Sequence, residues 1–97
     1  MPAAYMIADV KVTDPEAYED YKAQVPATIA KYGGEYLVRG GDFVALEGDA
    51  PSGRVVVLRF ESKERALEWY NSDEYEGPKA IRHRAAVSRS FLVEGME

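Results

Sequence analysis

The stretch that most constrains how this chain can fold is residues 31–41, which read KYGGEYLVRGG. A glycine such as Gly33 readily adopts the left-handed conformation that ends a helix. Residues 36–39 then have the aromatic and branched side chains that favour a strand. A glycine pair follows, so we expect a bulge or bend at residues 40–42 before the strand resumes over residues 43–47. The window therefore predicts a helix followed directly by a bent strand.

Hydrophobic periodicity predicts a strand and a helix before this window. Residues 4–12 alternate with the period of a strand, and both of its faces are partly apolar. Asp14 and Pro15 suit the cap and the first position of a helix. We expect Pro26 to kink that helix, because proline lacks the N–H of one backbone bond. The predicted core-facing stripe of the helix consists of Tyr18, Tyr21, Val25, Ile29 and Tyr32.

The second half of the chain is predicted to contain two strands and an interrupted helical segment. A β-branched run at residues 54–60 is typical of a central strand and follows a hairpin loop that contains glycine and proline. Ser62 and Ser72 can each cap a helical turn. The helix is expected to restart at Pro78, and an alternating strand is expected at residues 86–93.

The predicted order of elements is strand, helix, strand, strand, helix, strand. This is the α+β, ferredoxin-like βαββαβ pattern, in which helices cover one face of a four-stranded antiparallel sheet. We expect residues 1–97 to form a single domain, since about 100 residues is a common domain size. The other sheet face keeps apolar side chains that so short a chain cannot bury unaided. We therefore expect a homodimer that pairs two such faces.

Composition disfavours several classes of function. The chain has no cysteine, which excludes disulfides and thiol chemistry, and its formal charge of −5 disfavours binding to nucleic acid. The N-terminal residues show neither a basic region nor a long apolar run, so we expect a cytoplasmic protein without a membrane span. The glycine pairs lack the spacing of a phosphate-binding loop, and one histidine cannot build a multi-histidine site. We expect no cofactor and no metal.

Three further segments carry a family resemblance when they are taken with residues 31–41. They are LEG at residues 46–48, WYNSDEY at residues 69–75 and VEG at residues 93–95. Nearly from end to end, the chain resembles the family called domain of unknown function 1330. The resemblance implies the dimeric α/β-barrel superfamily, in which two ferredoxin-like subunits pair their sheets. It implies no particular reaction, because the fold carries cofactor-independent monooxygenases, haem-degrading enzymes, isomerases and ligand-sensing domains.

Charged residues in the predicted strands are the first candidates for a ligand site. Arg39, Arg59 and Arg89 could together clamp a carboxylate or an enolate, and Glu47 and Glu94 are the strand acids best able to pair with them. A structural network of ion pairs, at a dimer interface or at the strand ends, is the simpler explanation of the same residues.

Asp9, His83 and Tyr70 are candidates for moving a proton. Asp9 could act as a base if it faces an apolar pocket, which would raise its pKa, whereas in solvent it would have no such role. His83 titrates near neutral pH, although a histidine between two arginines is more often a surface residue. Tyr70 could present its hydroxyl to a ligand.

Trp69 and Tyr75 complete the candidate ligand-binding residues, and core packing is the simpler explanation for Trp69. The haem-degrading branch of the superfamily combines a strand asparagine, a helix tryptophan and a histidine. Here Asp9, Trp69 and His83 occur in that order, but an aspartate replaces the asparagine. A carboxylate beside a porphyrin disfavours haem chemistry.

Two hypotheses of function follow from these residues. In the first, a homodimer binds a small anionic or aromatic organic molecule in a cleft between sheet and helices, with cofactor-independent monooxygenase or isomerase-type chemistry left open. In the second, the protein is a non-catalytic structural or stress-associated interaction dimer. A cleft beside Arg39 would favour the first hypothesis, and a filled interior the second.

Overall fold

The chain folds into one antiparallel sheet with three helices packed on a single face. A computed structural model describes residues 2–96. The sheet has the order β2-β3-β1-β4, and all neighbouring strands are antiparallel. The predicted α+β arrangement is confirmed. In chain order the elements are β1 (Ala4–Val12), α1 (Pro15–Lys31), β2 (Glu35–Arg39), β3 (Arg54–Phe60), α2 (Lys63–Tyr70), α3 (Asp73–Ala85) and β4 (Ala86–Glu94).

The helices begin where the sequence predicts. Asp14 Oδ1 accepts a hydrogen bond from the Ala17 N–H at 3.2 Å, and Ser62 and Ser72 cap α2 and α3 in the same way. Gly33 has a φ of 75° just after α1, as a left-handed helix stop requires. In the part of the chain that the structure describes, no helix is both long and apolar enough to cross a membrane.

Two predictions concern the effect of prolines within the helices. Helix α1 continues past Pro26 as far as Lys31. Helix α3 runs unbroken from Asp73 to Ala85, so the predicted restart at Pro78 is wrong. Pro78 is buried on the inner side of α3, where its ring packs against the core. The proline costs the helix one backbone hydrogen bond, and the caps and packing on either side outweigh that loss.

The strand predicted at residues 43–47 does not form, and its absence has a simple cause. Strand β2 ends at Arg39, which pairs with Val56, and the Gly40 N–H donates to the Val55 carbonyl at 2.8 Å. Strand β3 begins at Arg54, so it offers residues 43–47 no backbone groups to pair with. The expected bulge lies earlier, between Tyr36 and Val38. Residues 40–53 therefore form a long loop.

The sheet has one covered face and one uncovered face. The covered face packs against the helices through a core whose largest fully buried side chains are Trp69, Tyr75, Phe60 and Leu58. The uncovered face, which we call the free face, carries apolar side chains on each strand. Its outer part includes Val38, Val87, Phe91 and Val93, which are exposed by 38 to 66%. The predicted apolar sheet face is therefore present.

Gly53 marks a point where the long loop approaches the sheet closely. A Cβ atom at this position would overlap the backbone carbonyl of Val10, whereas a Cβ atom at Gly41 would meet nothing nearby. Gly53→Ala should destabilise the fold by about 1–3 kcal/mol, which lowers Tm by roughly 4–8 °C per kcal/mol. Thermal unfolding followed by circular dichroism measures the change. Gly41→Ala is the matched control, and an equal loss in both variants would contradict this contact.

Candidate functional site

A small cavity lies between α1 and the covered face of the sheet. Its volume of about 30 Å³ holds roughly two water molecules. The polar residues around it share one feature, because none of the described lining residues is acidic. They are the bases Lys22, Arg39, Arg54 and Arg82, the tyrosines Tyr18, Tyr21 and Tyr36, and Ser90.

Arg82 is the most unusual residue in this cavity. It sits on the buried side of α3 and is only 6% exposed. Its Nη1 donates to Ser88 Oγ at 2.6 Å, and its Nη2 lies 3.5 Å from His83 Nε2. Its Nε is buried without a hydrogen-bond partner among residues 2–96, and no carboxylate in that range pairs with the side chain. The guanidinium therefore carries a buried charge without a counterion.

Two further arginines line the same cavity from the sheet. Arg54, the first residue of β3, places its guanidinium carbon 5.6 Å from the centre of the Tyr18 ring, and its Nε is also buried without a partner in the described chain. Arg39 ends β2 and lies more exposed, at the mouth of the cavity. Its guanidinium carbon sits 4.7 Å from the centre of the Tyr36 ring. Arg54 and Arg82 thus place positive charge inside the cavity. Arg39 and the Tyr36 ring place a charge and an aromatic surface at its opening.

Tyrosine hydroxyls add uncharged donors to these positive charges. Tyr21 Oη and Tyr75 Oη are 2.9 Å apart in the core. Burial raises the pKa of Tyr21, and the neighbouring Tyr75 raises it further. Burial also raises the pKa of Tyr18, although the Arg54 and Arg82 charges oppose that effect. The raised pKa values keep the Tyr18 and Tyr21 hydroxyls protonated at neutral pH, so both can donate a hydrogen bond.

Together these groups form a site that favours a negative charge. Guanidinium groups bind carboxylates through short, charge-assisted hydrogen bonds, and two of them here have N–H groups without partners. The surrounding core excludes most water, which strengthens the attraction for an anion.

Asp9 lies on the free face, away from this cavity, where it anchors the long loop and pairs with Arg89 of β4. Its carboxylate accepts hydrogen bonds from the Ser52 N–H at 2.9 Å, the Ser52 hydroxyl at 3.3 Å and the Gly53 N–H at 2.9 Å. Arg89 Nη2 donates to it at 3.0 Å. The Ser52 N–H above all, with Arg89, lowers the pKa of Asp9 to about 2. This geometry favours an anchoring role over the predicted role as a base.

The structure divides the predicted arginine clamp between the two faces of the sheet. Arg39 lies at the cavity, whereas Arg89 bonds to Asp9 and Arg59 forms a 3.6 Å ion pair with Glu35 on the free face. Glu47 lies exposed in the long loop, so its predicted place in a strand is wrong. Glu94 ends β4. The three arginines therefore do not meet around one ligand.

The predicted aromatic residues belong mainly to the core. Trp69 is 1% exposed, its Nε1 donates to Thr28 Oγ at 3.0 Å, and its ring centre lies 4.1 Å from that of Tyr75. Tyr75 is 1% exposed, and its hydroxyl bonds to that of Tyr21, which lines the cavity. Tyr70 is half-buried under the Lys79 ammonium, whose Nζ is 4.2 Å from the ring centre. It borders a separate apolar groove between α2 and β4, of about 250 Å³.

His83 lies exposed in the last turn of α3. Partial burial lowers the pKa of His83, and the Arg82 and Lys79 charges lower it further. Asp9 is on the free face and Trp69 is in the core, so the three residues that invited a comparison with haem-degrading enzymes occupy three separate places. The structure does not assemble them into one site.

The sequence reasoning missed the two residues that define the cavity, Arg54 and Arg82. A signal for Arg82 was present, because it shares a helical stripe with three inward-facing residues, Tyr75, Pro78 and Ala85. Its place in the polar run Arg82-His83-Arg84 instead favoured a surface interpretation. Arg54 alternates with the buried Leu58 and Phe60 along β3, which puts it on the covered face.

This fold places the chain in the class of ferredoxin-like α+β domains. The chain belongs to the family described as Domain of unknown function (DUF1330), whose pattern matches residues 3–96. The predicted family is thereby confirmed. No curated protein matches the sequence.

Several solved structures share the fold at low sequence identity. A protein of unknown function from Rhodopseudomonas palustris is 19% identical with a TM-score of 0.77, over 99% of this chain and 84% of that one. SnoaB, a cofactor-independent oxygenase from Streptomyces nogalater, is 11% identical with a TM-score of 0.64, over 100% and 96%. A putative antibiotic biosynthesis monooxygenase from Nitrosomonas europaea is 10% identical with a TM-score of 0.61, over 97% and 90%. These likenesses establish the fold.

The lowered pKa of Asp9 predicts a specific dependence of stability on pH. The folded pKa of about 2 lies below the ordinary value of 3.8, so ionised Asp9 stabilises the fold above that value. This contribution is lost as the pH falls from about 4 to about 2. Asp9→Asn should remove it, so the free energy of unfolding should depend less on pH in this window than in the unaltered protein.

Urea unfolding across this pH window measures the effect. Asp20→Asn, on the exposed side of α1, is the matched control and should keep the pH dependence of the unaltered protein. An Asp9→Asn variant with that same pH dependence would show that the loop contacts do not stabilise the ionised carboxylate.

Proposed function

We propose that this protein binds a small organic anion, a carboxylate or an enolate, in the cavity between α1 and the sheet. The observation that carries the proposal is the buried Arg82 charge, which has no counterion among residues 2–96. Burying a charged side chain costs roughly several kcal/mol unless an opposite charge or good hydrogen bonds offset it. A bound anion would supply that opposite charge.

The dimensions of the cavity indicate which part of the ligand it receives. At about 30 Å³ it admits an acid group but not a whole aromatic molecule. The rest of the ligand would lie at the mouth, where Lys22 and Arg39 have exposed ends and Tyr36 offers a ring face. An aromatic body would stack there in the place of the Arg39 guanidinium. The preferred ligands are therefore aromatic acids or enols.

The proposal predicts opposite effects of one substitution on the free and the bound protein. Arg82→Met removes a buried, uncompensated charge, so it should stabilise the ligand-free protein by about 1 kcal/mol and raise Tm by roughly 4–8 °C. It should also abolish the thermal stabilisation that benzoate gives the unaltered protein. Differential scanning fluorimetry with benzoate, and with neutral benzamide in parallel, measures both effects.

Arg84→Met is the matched control, because Arg84 lies two residues further along α3 on its exposed side. It should leave both the Tm and the benzoate effect unchanged. Equal stabilisation by benzoate and benzamide would show that the negative charge of the ligand does not cause the stabilisation. No stabilisation by either would favour the competing hypothesis, a non-catalytic interaction dimer.

Turnover is a second candidate function, favoured by the hydroxyl pair of Tyr21 and Tyr75 at the cavity. A hydroxyl donor and a guanidinium beside the same oxygen would stabilise an enolate or phenolate, the electron-rich form that reacts with oxygen. Cofactor-independent oxygenase chemistry, the activity of SnoaB, would suit such a site. An oxygen electrode measures oxygen consumption with 1,4-dihydroxy-2-naphthoate as the substrate. Turnover would be supported by oxygen consumption faster than the spontaneous rate, provided that Arg82→Met abolishes this excess and Arg84→Met retains it.

We also propose that two copies pair through their free faces. The subunit is a slab 36 by 35 Å across and 16 Å thick. Each broad face is therefore larger than the roughly 800 Å² that a stable interface buries per partner. Apolar residues such as Ile7, Val57 and Phe91 occupy the free face, and a second free face would cover them by two-fold symmetry.

The pairing predicts that charge on the free face separates the subunits. Phe91 is 60% exposed in the subunit, so Phe91→Asp should not disturb the core but should leave an unpaired charge in the interface. Native mass spectrometry should show dimer for the unaltered protein and monomer for Phe91→Asp. Leu67→Asp, at a leucine 43% exposed on the helical side, is the control and should stay dimeric. A monomeric unaltered protein would contradict the pairing.

A further inference from the structure

The long loop contains an apolar segment that nothing in its own subunit covers. Val44 is 83% exposed and Leu46 is 91% exposed, whereas Phe43 is 47% exposed. These exposures show that the Val44 and Leu46 side chains both face away from the subunit. Large aliphatic side chains this exposed are a feature of interaction sites when they occur together. We call residues 43–47 the arm.

The sequence of the arm is that of a strand without a partner. Residues 43–47 include the β-favouring Phe43 and Val44, yet β3 ends its pairing with β2 at Arg39 and Val56. A segment that favours a strand but finds no backbone partner in its own sheet can find one on another chain.

A hollow on the free face offers a place for these side chains. It has a volume of about 400 Å³, and its apolar part is formed by Ile7, Val55 and Phe91. Pro51 and Asp49 of the long loop form its rim, and Asp9 and Arg89 lie at its polar end. In the single subunit this hollow is open to solvent. Covering its apolar lining would be favourable, because it would remove apolar surface from water.

One charge of the arm is opposite to a charge beside the hollow. The charged residue of the arm is the acid Glu47. Beside the hollow, Arg89 contacts Asp9 through Nη2 while remaining 79% exposed, so part of its guanidinium faces outwards. With Leu46 in the hollow of a second copy, the adjacent Glu47 would lie within reach of that copy's Arg89.

From these observations we infer that the arm of each subunit crosses to a second copy of this chain and places Val44 and Leu46 in the hollow on its free face. The inference rests on the proposed pairing of free faces and adds a mutual exchange of arms to it. It also gives Glu47 and Arg89 a role between subunits in place of a role in ligand binding. Burial of two aliphatic side chains per arm would add to the interface that the sheets provide.

The absence of cysteine from the sequence makes a direct test practical. One protein carries Leu46→Cys and a second, lengthened by a tag, carries Val55→Cys, whose side chain lines the hollow. The two are unfolded together, refolded as a mixture and treated with a short bismaleimide crosslinker. Linkage of the two chain types can then arise only between subunits, because neither chain holds both thiols.

We expect a crosslinked species whose mass equals one tagged plus one untagged chain. The control pairs Leu46→Cys with Leu67→Cys, which is exposed on the helical side and should give no such species. Leu46→Asp should in addition raise the dimer dissociation constant at least tenfold, because each dimer would lose the burial of two leucines, one per arm.

The outcomes distinguish the exchange of arms from the pairing of free faces on which it rests. Native mass spectra that show a dimer, together with no link between positions 46 and 55, would overturn the exchange of arms while leaving the pairing of free faces intact. A link of similar yield in the Leu67→Cys control would also overturn it, because the crosslinking would then be non-specific. A monomer in the native spectra would overturn both.

Discussion

Everything in this molecule depends on the fact that its three helices cover only one face of the sheet. A side chain's surroundings therefore follow from which way it points along its strand. Arg54 points to the helices and lines the cavity, whereas Arg59, five residues later in the same strand, points to the free face and pairs with Glu35. Chains of this length bury only part of their apolar surface when they fold alone, and here the unburied part is concentrated on one plane.

The same asymmetry explains which features of the structure could be predicted from the sequence. Strand and helix periods, together with the caps at Asp14, Ser62 and Ser72, were sufficient for the element order, because these signals are local. The face occupied by Arg39 was not predictable, since the bulge between Tyr36 and Val38 changes the alternation before it. The missing strand at residues 43–47 depends on where β3 begins, which is a property of the sheet as a whole.

The candidate site shows a similar limit. Arginines in strands were reasonable candidates for a ligand site. Charge alone, however, does not distinguish a residue that anchors a loop from one that is available to a ligand. The distinction lies in what each group already contacts. Arg89 and Asp9 satisfy each other, whereas Arg82 keeps a buried N–H without a partner in the described chain. Only the packing of α3 against α1 and the sheet reveals that difference.

Trp69 gives this protein a built-in optical reporter. It is the only tryptophan in the chain, and its ring stacks on Tyr75, whose hydroxyl bonds to Tyr21 at the cavity. Its indole N–H is held by Thr28 of α1. A molecule that enters the cavity and displaces Tyr21 would change the surroundings of this single fluorophore through one intervening ring. Ultraviolet emission of the unlabelled protein can therefore follow the state of its interior in real time.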